Sequence, residues 1–185
     1  ADAIGALITI GPRITGQLVD ALIDPEQEFA VRRRIPRVLG AFDSQRAVDG
    51  LTEGLADTRF EVRFHSAQAL AQIRNRNPHL EIKRETITGA VERELGVSRE
   101  IWTNYRVIDG RRQEPQETIT VDHIFRLLAL IYASEPLQLA QRALTSGDEH
   151  LRRTSLEYLQ NVLPFPLWQH MLPLFEEGAT VDAIR

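Results

Sequence analysis

Residues 51–70 read LTEGLADTRFEVRFHSAQAL, and this stretch decides the fold. It contains two leucines four residues apart, a short polar turn at Asp57, and then Val62-Arg63, followed after six residues by Leu70. Apolar residues that recur three or four positions apart lie on one face of an α-helix. The stretch therefore predicts two amphipathic helices joined by a turn at Asp57.

Further copies of this arrangement occur on both sides of the stretch. Asp24 precedes Asp57 by 33 residues, and Arg32 precedes Arg63 by 31 residues. The first copy consists of Leu18, Leu22, Asp24, Val31, Arg32 and Leu39, and the last consists of Ala140, Leu144, Ser146, Leu151, Arg152 and Leu159. A pair of short helices cannot bury its apolar faces alone, but stacked pairs share one continuous core. The chain is therefore predicted to be an array of helix pairs.

The spacing fails in the middle of the chain. Asp57 and Ser146 are 89 residues apart, as are Arg63 and Arg152, whereas two ordinary units would take roughly 62–66 residues. We therefore predict an insertion over residues 79–119, within the third repeat, made of a long helix at about 81–106 and a polar loop at about 108–118. Insertions of this kind fall on one face of a repeat array, which is often the binding face.

The pattern resembles HEAT repeats, an armadillo-like family, in the short form found in bacteria. The residues that carry the resemblance best are Leu51, Leu55, Asp57, Val62, Arg63, Ala67 and Leu70. The resemblance implies an all-α fold, a right-handed α-α superhelix of about five antiparallel helix pairs. It also implies that a turn Asp and an early Arg form a ladder between neighbouring units. We expect residues 1–185 to be one repeat domain and a segment of a longer protein, since Met171 is the only methionine.

The composition excludes several classes of protein. The formal net charge is -4, which gives no general attraction to nucleic acid or anionic membranes. Cysteine is absent, so the chain has no disulfide framework, and we expect a cytoplasmic location. The longest apolar run, residues 127–133, is far shorter than the ~20 residues of a membrane helix. We predict no transmembrane segment in this chain.

No catalytic or metal-binding motif is present in the sequence. The five histidines do not pair at three or four residues, and the chain has neither a nucleophile elbow nor a phosphate-binding glycine loop. Most of the carboxylates neighbour arginines, which is typical of solvated helix faces. We therefore predict no enzymatic activity, no metal and no cofactor.

Basic and aromatic residues supply the candidates for binding. Arg33 and Arg37 are four residues apart and share a helix face. Arg63 and Arg74 lie in the next equivalent helix, so the four guanidiniums would form a positive stripe across two repeats. The alternative is that these arginines are members of the ladder or are solvated. Aromatic residues near the end of the inserted helix are candidate interface anchors, and arginines of the polar loop are candidate contacts. The full predicted set is Arg33, Arg37, Arg63, Arg74, Trp102, Tyr105, Arg111 and Arg112.

These observations favour a non-catalytic scaffold or protein-interaction module of a larger bacterial protein. The sequence does not identify the protein partner or define the oligomeric state. Residues 156–164 are similar to a segment in cytosolic HEAT regions of bacterial membrane proteins that look like nucleotide transporters, so a regulatory domain of a transporter is one alternative. A nucleic-acid-binding protein, similar to the HEAT-like DNA glycosylases, is another. The acidic net charge disfavours it.

Overall fold

The computed structural model describes residues 3–96 and 116–176, and the regular structure in these ranges is entirely helical. The described residues divide into two compact units, one containing residues 3–90 and the other residues 91–96 and 116–176. The described helices are α1 (Ala3–Ile10), α2 (Thr15–Ile23), α3 (Phe29–Arg32), α4 (Ile35–Leu39), α5 (Gln45–Gly54), α6 (Phe60–Arg76), α7 (Arg84–Gly96), α8 (Gln116–Leu128), α9 (Ser134–Leu144), α10 (Glu149–Val162) and α11 (Phe165–Glu176).

The first unit consists of stacked helix pairs. Helix α2 packs on α4, and α5 packs on α6, so each forms a helical hairpin. Between hairpins, α2 lies against α5 and α4 lies against α6. The first helices therefore form one layer and the second helices form the other, with fully buried leucines between them. These are Leu22, Leu39, Leu51 and Leu70. The stacking of helix pairs that the sequence predicts is present here, and the five-pair superhelix stays a prediction.

Two glycines allow the hairpins to approach closely. A Cβ atom on Gly50 would overlap the side chain of Val19, where α5 lies against α2. A Cβ atom on Gly40 would lie 3.0 Å from the Cβ of Ala69, next to α6. Each layer therefore has one position at which a side chain would push neighbouring repeats apart.

The second helix of the first repeat is broken, although the sequence predicts one helix over 28–41. Pro36 has no N–H to donate to the carbonyl of Arg32, and its ring disfavours an uninterrupted helix. Helix α3 therefore ends at Arg32, and α4 begins again with Pro36 in its first turn. Val31, an apolar residue of the repeat pattern, is 41% exposed.

The second unit contains a further hairpin, α9 with α10, packed between α8 and α11. Its core includes Leu137, Leu159, Trp168 and Met171. Helix α8 lies about one turn earlier than the predicted 120–133, and α7 begins at Arg84 rather than at 81. Leu151, predicted to point inward, is 48% exposed because it lies in the first turn of α10.

Candidate functional site

An ion pair joins the two repeats of the first unit. The guanidinium of Arg32 contacts the carboxylate of Asp57, and both side chains are nearly buried. Arg32 also donates from Nε to the carbonyl oxygen of Leu22, at 3.1 Å. The second helix of one repeat is thereby connected to its own first helix and to the turn of the next repeat. The predicted Asp–Arg ladder is confirmed for this pair.

The turn acids have a second role. The Oδ1 atoms of Asp24 and Asp57 each accept a hydrogen bond from the backbone N–H two residues later. Asp148 does the same, accepting from His150 at 2.9 Å and from Leu151 at 3.1 Å. Asp148, rather than Ser146, is therefore the turn acid of the last copy.

Two of the predicted binding arginines, Arg63 and Arg74, donate hydrogen bonds to backbone carbonyls instead. Arg63 is only 5% exposed and donates to the carbonyl oxygens of Asp57 and Thr58, at 3.0 and 3.1 Å. Arg74 donates to the carbonyl oxygens of Pro78 and Leu80, at 3.0 and 3.3 Å. These guanidiniums cannot turn toward a partner without losing their bonds to the backbone carbonyls. The predicted stripe is therefore interrupted at Arg63 and Arg74.

Arg76 stabilises the same unit at another point. Its guanidinium donates to Asp43 Oδ1, with Nη2 at 2.8 Å and Nε at 3.1 Å, and also to the carbonyl oxygen of Gly40. The pKa of Asp43 is lowered, first by the hydrogen bond and then by the charge of Arg76. This contact connects the end of α6 to the turn between α4 and α5.

Two further arginines of this unit, Arg33 and Arg59, lie at the same aromatic ring. The guanidinium carbon of Arg59 lies 5.3 Å from the ring centroid of Phe29, and that of Arg33 lies 5.9 Å from it. Both distances are within the range of a cation–π contact. Phe29 is half-buried, so its ring packs against the repeat. Its exposed part contacts the two guanidinium groups near the surface.

Arg37 lies about one helical turn beyond Arg33 and opens onto a depression of about 310 Å³ between α4 and α6. The floor is Ala69, and the polar wall is made by His65, Gln68 and Gln72. The wall residues recur at helical spacing along α6, so they form one stripe. We call Phe29, Arg33, Arg37, Arg59, His65, Gln68 and Gln72 together the basic face.

The charges of the basic face are not neutralised locally. Arg32 and Arg76 form ion pairs with carboxylates, whereas none of the three arginines of the basic face forms one with a carboxylate in the described residues. The Nε atom of Arg33 is buried and makes no hydrogen bond to any described residue. Glu61 begins the α6 stripe and is the one acidic residue on it. The face therefore keeps an excess of positive charge on an acidic chain.

Two of the eight predicted site residues, Arg33 and Arg37, come together on the basic face. Trp102, Tyr105, Arg111 and Arg112 lie outside the described residues. The sequence prediction missed Phe29, Arg59, His65, Gln68 and Gln72. Phe29 precedes Arg33 by four residues, and the polar residues of α6 recur at intervals of three and four, so these signals were available.

The second unit contains a buried pair of titratable side chains. His123 Nε2 lies 3.5 Å from Glu94 Oε1, and both side chains are almost completely inaccessible. Two residues do not make a metal site, and no group of three or more His, Asp or Glu residues converges in the part of the chain described.

No single helix in residues 3–96 or 116–176 has the length and hydropathy to cross a membrane. One bent pair does have the length and composition, namely Ile4–Ile10 with Pro12–Ile23, and its two helices meet at 98°.

Comparison with known proteins supports the repeat assignment. Residues 15–81 match the family model of HEAT repeats, which covers both hairpins of the first unit. Comparison with curated proteins and with solved structures gave no match. HEAT repeats generally mediate protein–protein interaction and are generally non-catalytic. The family match over residues 15–81 and the Arg32–Asp57 ion pair together support a HEAT-repeat protein.

Proposed function

We propose that this protein is a non-catalytic interaction module that binds an acidic protein surface through the basic face. The observation that carries the proposal is the grouping of Arg33, Arg37 and Arg59 at one aromatic ring and one adjoining depression. Arg32, Arg63, Arg74 and Arg76 are engaged by carboxylates or backbone carbonyls, whereas Arg33, Arg37 and Arg59 have no carboxylate partner among the described residues. Exposed charges of one sign favour a partner of the opposite sign and accelerate its association.

A protein partner fits the basic face better than the phosphate backbone of nucleic acid. Affinity for duplex DNA comes from many simultaneous phosphate contacts. A stripe across both repeats would supply them, but Arg63 and Arg74 bond to the backbone. Two arginines at the Phe29 ring and one at the depression form a compact patch, which suits a few carboxylates. The proposal places the module in the cytoplasm, where a chain without cysteine meets no requirement for disulfides.

The test is affinity capture with the chain as bait, followed by mass spectrometry of the captured proteins. The Arg33→Glu/Arg37→Glu variant is compared with the unmodified chain and with Arg142→Glu/Arg153→Glu, which reverses two exposed charges in the second unit. We expect the basic-face variant alone to lose proteins that the other two baits retain. Capture of the same proteins by all three baits would show that binding uses another surface.

Circular dichroism melting of each bait provides the folding control. Arg37 is exposed and Arg33 is half-buried, so both substitutions should leave the helical signal intact. The same capture from a chain that lacks residues 108–118 would show whether the predicted loop arginines, Arg111 and Arg112, contribute to binding.

A further inference from the structure

The basic face presents two charged positions at a defined spacing. Arg33 and Arg34 both have right-handed helical backbone angles, and the N–H of Arg37 donates to the carbonyl oxygen of Arg34 at 3.2 Å. The chain therefore keeps an approximately helical path from Arg33 to Arg37, although α3 and α4 are separate helices. Four residues of such a path advance by ~6 Å. The ring-held pair of arginines and the depression at Arg37 are thus about one turn apart.

The same spacing occurs in the polar wall. Gln68 and Gln72 are four residues apart on α6, and both are exposed beside the depression. Each amide has two N–H donors and one acceptor oxygen, which match the N–H and C=O groups of a peptide main chain. Residues that lie on the same side of an extended peptide recur every ~6.6–6.8 Å. The pair Arg33 and Arg37 and the pair Gln68 and Gln72 therefore have nearly the same spacing as side chains on one side of an extended peptide.

We propose that the basic face binds an extended acidic peptide segment whose two carboxylates are separated by one residue. The first carboxylate lies between the guanidinium groups of Arg33 and Arg59 beside the Phe29 ring. The second enters the depression and meets Arg37 and the imidazole of His65. Gln68 and Gln72 bind the main chain between them. This inference rests on the proposed function and narrows the partner to a peptide of defined charge spacing.

The main-chain contacts distinguish this ligand from an acidic helix. Two carboxylates four residues apart on a helix are also ~6 Å apart, so spacing alone would accept both. A helix, however, uses its own N–H and C=O groups internally and offers no main-chain partner to an amide side chain. Loss of Gln68 and Gln72 therefore weakens an extended ligand and leaves a helical one unchanged.

Binding can be measured by fluorescence anisotropy with labelled, end-blocked peptides of equal charge and the full 185-residue chain. The extended set carries two glutamates in a Gly-Ser background, adjacent, separated by one residue, or separated by three. A fourth peptide is alanine-rich and helical, with glutamates four residues apart. We expect the peptide with one intervening residue to bind at least about five-fold more tightly than the others.

The variants then test each contact. Arg37→Gln and Gln68→Ala/Gln72→Ala should each weaken that peptide about five-fold and reduce its advantage over the other spacings. The matched control, Arg142→Gln/Arg153→Gln, should bind like the unmodified chain. In ¹H–¹⁵N spectra, the side-chain amides of Gln68 and Gln72 should shift on addition of the peptide.

The outcomes separate the two proposals. Equal binding of the three extended peptides would overturn the spacing, and preferential binding of the helical peptide would overturn the extended ligand. If no peptide binds but Arg33→Glu/Arg37→Glu still abolishes capture of the protein's own partners, the interaction surface stands and the peptide inference is wrong. If capture also survives the substitution, both proposals are wrong.

Discussion

Arg32 and Asp57 form a nearly buried ion pair that joins the second helix of one repeat to the turn of the next. Each partner lies in a different repeat, so the pair links the two repeats directly. Removing one member of such a pair leaves a charge in a site from which water is excluded. Arg32 and Asp57 therefore contribute to the stacking of the repeats.

Asp57→Ala should lower the free energy of unfolding of the first unit by about 3–5 kcal/mol, because Arg32 stays buried without its carboxylate. Asp57→Asn should cost less, since its side-chain oxygen still accepts the hydrogen bond from the N–H of Arg59. The surface pair Arg153–Glu149, which is 72% and 89% exposed, is the control. Arg153→Ala should change stability by no more than about 0.5 kcal/mol. Urea denaturation followed by circular dichroism measures all three, and an equal loss in each would contradict the role of burial.

Substitution by alanine should lower stability at Gly50, which is packed between helices, and raise it at Gly89, which is exposed. Gly50→Ala places a methyl group against Val19 between α5 and α2, so we expect a loss of about 1–3 kcal/mol. Gly89→Ala, in α7, meets no neighbouring atom, and we expect a gain of up to about 1 kcal/mol from helix propensity. Thermal melting of the two variants compares them, and a gain at Gly50 would show that the repeats do not approach closely there.

The contact of Arg76 with Asp43 should make the first unit slightly less stable in acid. The pKa of Asp43 is lowered from its ordinary value of 3.8, chiefly by the hydrogen bond from Arg76. Because the folded-state pKa is the lower one, the stabilisation is present above pH 3.8 and is lost as the pH falls through the folded-state value. Both side chains are about 40% exposed, so solvent screening limits the contribution to about 0.5 kcal/mol.

NMR titration of the Asp43 carboxyl carbon tests this linkage. In Arg76→Ala, the pKa of Asp43 should rise toward its ordinary value, and the stability difference from the unmodified chain should shrink below pH 4. Asp49, an exposed carboxylate in the same unit, serves as the internal control. An unchanged Asp43 pKa in the variant would exclude Arg76 as the cause.

The buried pair of His123 and Glu94 should be important for the second unit. Glu94→Ala removes a carboxylate that is 1% exposed, 3.5 Å from the imidazole, and should destabilise this unit by roughly 3 kcal/mol. Glu92→Ala, two residues earlier and exposed, should change little. A Trp102→Phe background leaves Trp168, which is 6% exposed, as the single fluorescent reporter of the second unit. Identical denaturation curves for the two glutamate variants would contradict the assignment.

The sequence predicts a residue's structural role well when a local pattern determines that role, and poorly when contacts between repeats determine it. Helical periodicity predicted α6 and α10 closely, because burial of a regular stripe is a local signal. The break before Pro36 was missed, since the surrounding apolar residues continue the helical pattern through it. Arg63 and Arg33 cannot be told apart by residue type, and only the stacking decides which guanidinium faces the backbone and which faces solvent. The candidate site was therefore only partly predictable.

In the last copy of the repeat, the arginine contacts a backbone carbonyl and not a carboxylate. Arg152, the counterpart of Arg32, donates to the backbone carbonyl oxygen of Phe175 in α11. Every amino acid offers a main-chain carbonyl, so this connection demands the arginine on one side and no particular residue on the other. Substitution of Phe175 by another apolar residue can preserve the hydrogen bond from Arg152. The ion pair of Arg32, in contrast, requires a carboxylate at position 57. A comparison of side chains alone therefore misses this contact between helices. Because the contact uses a main-chain carbonyl, it places little constraint on the sequence of the last helix.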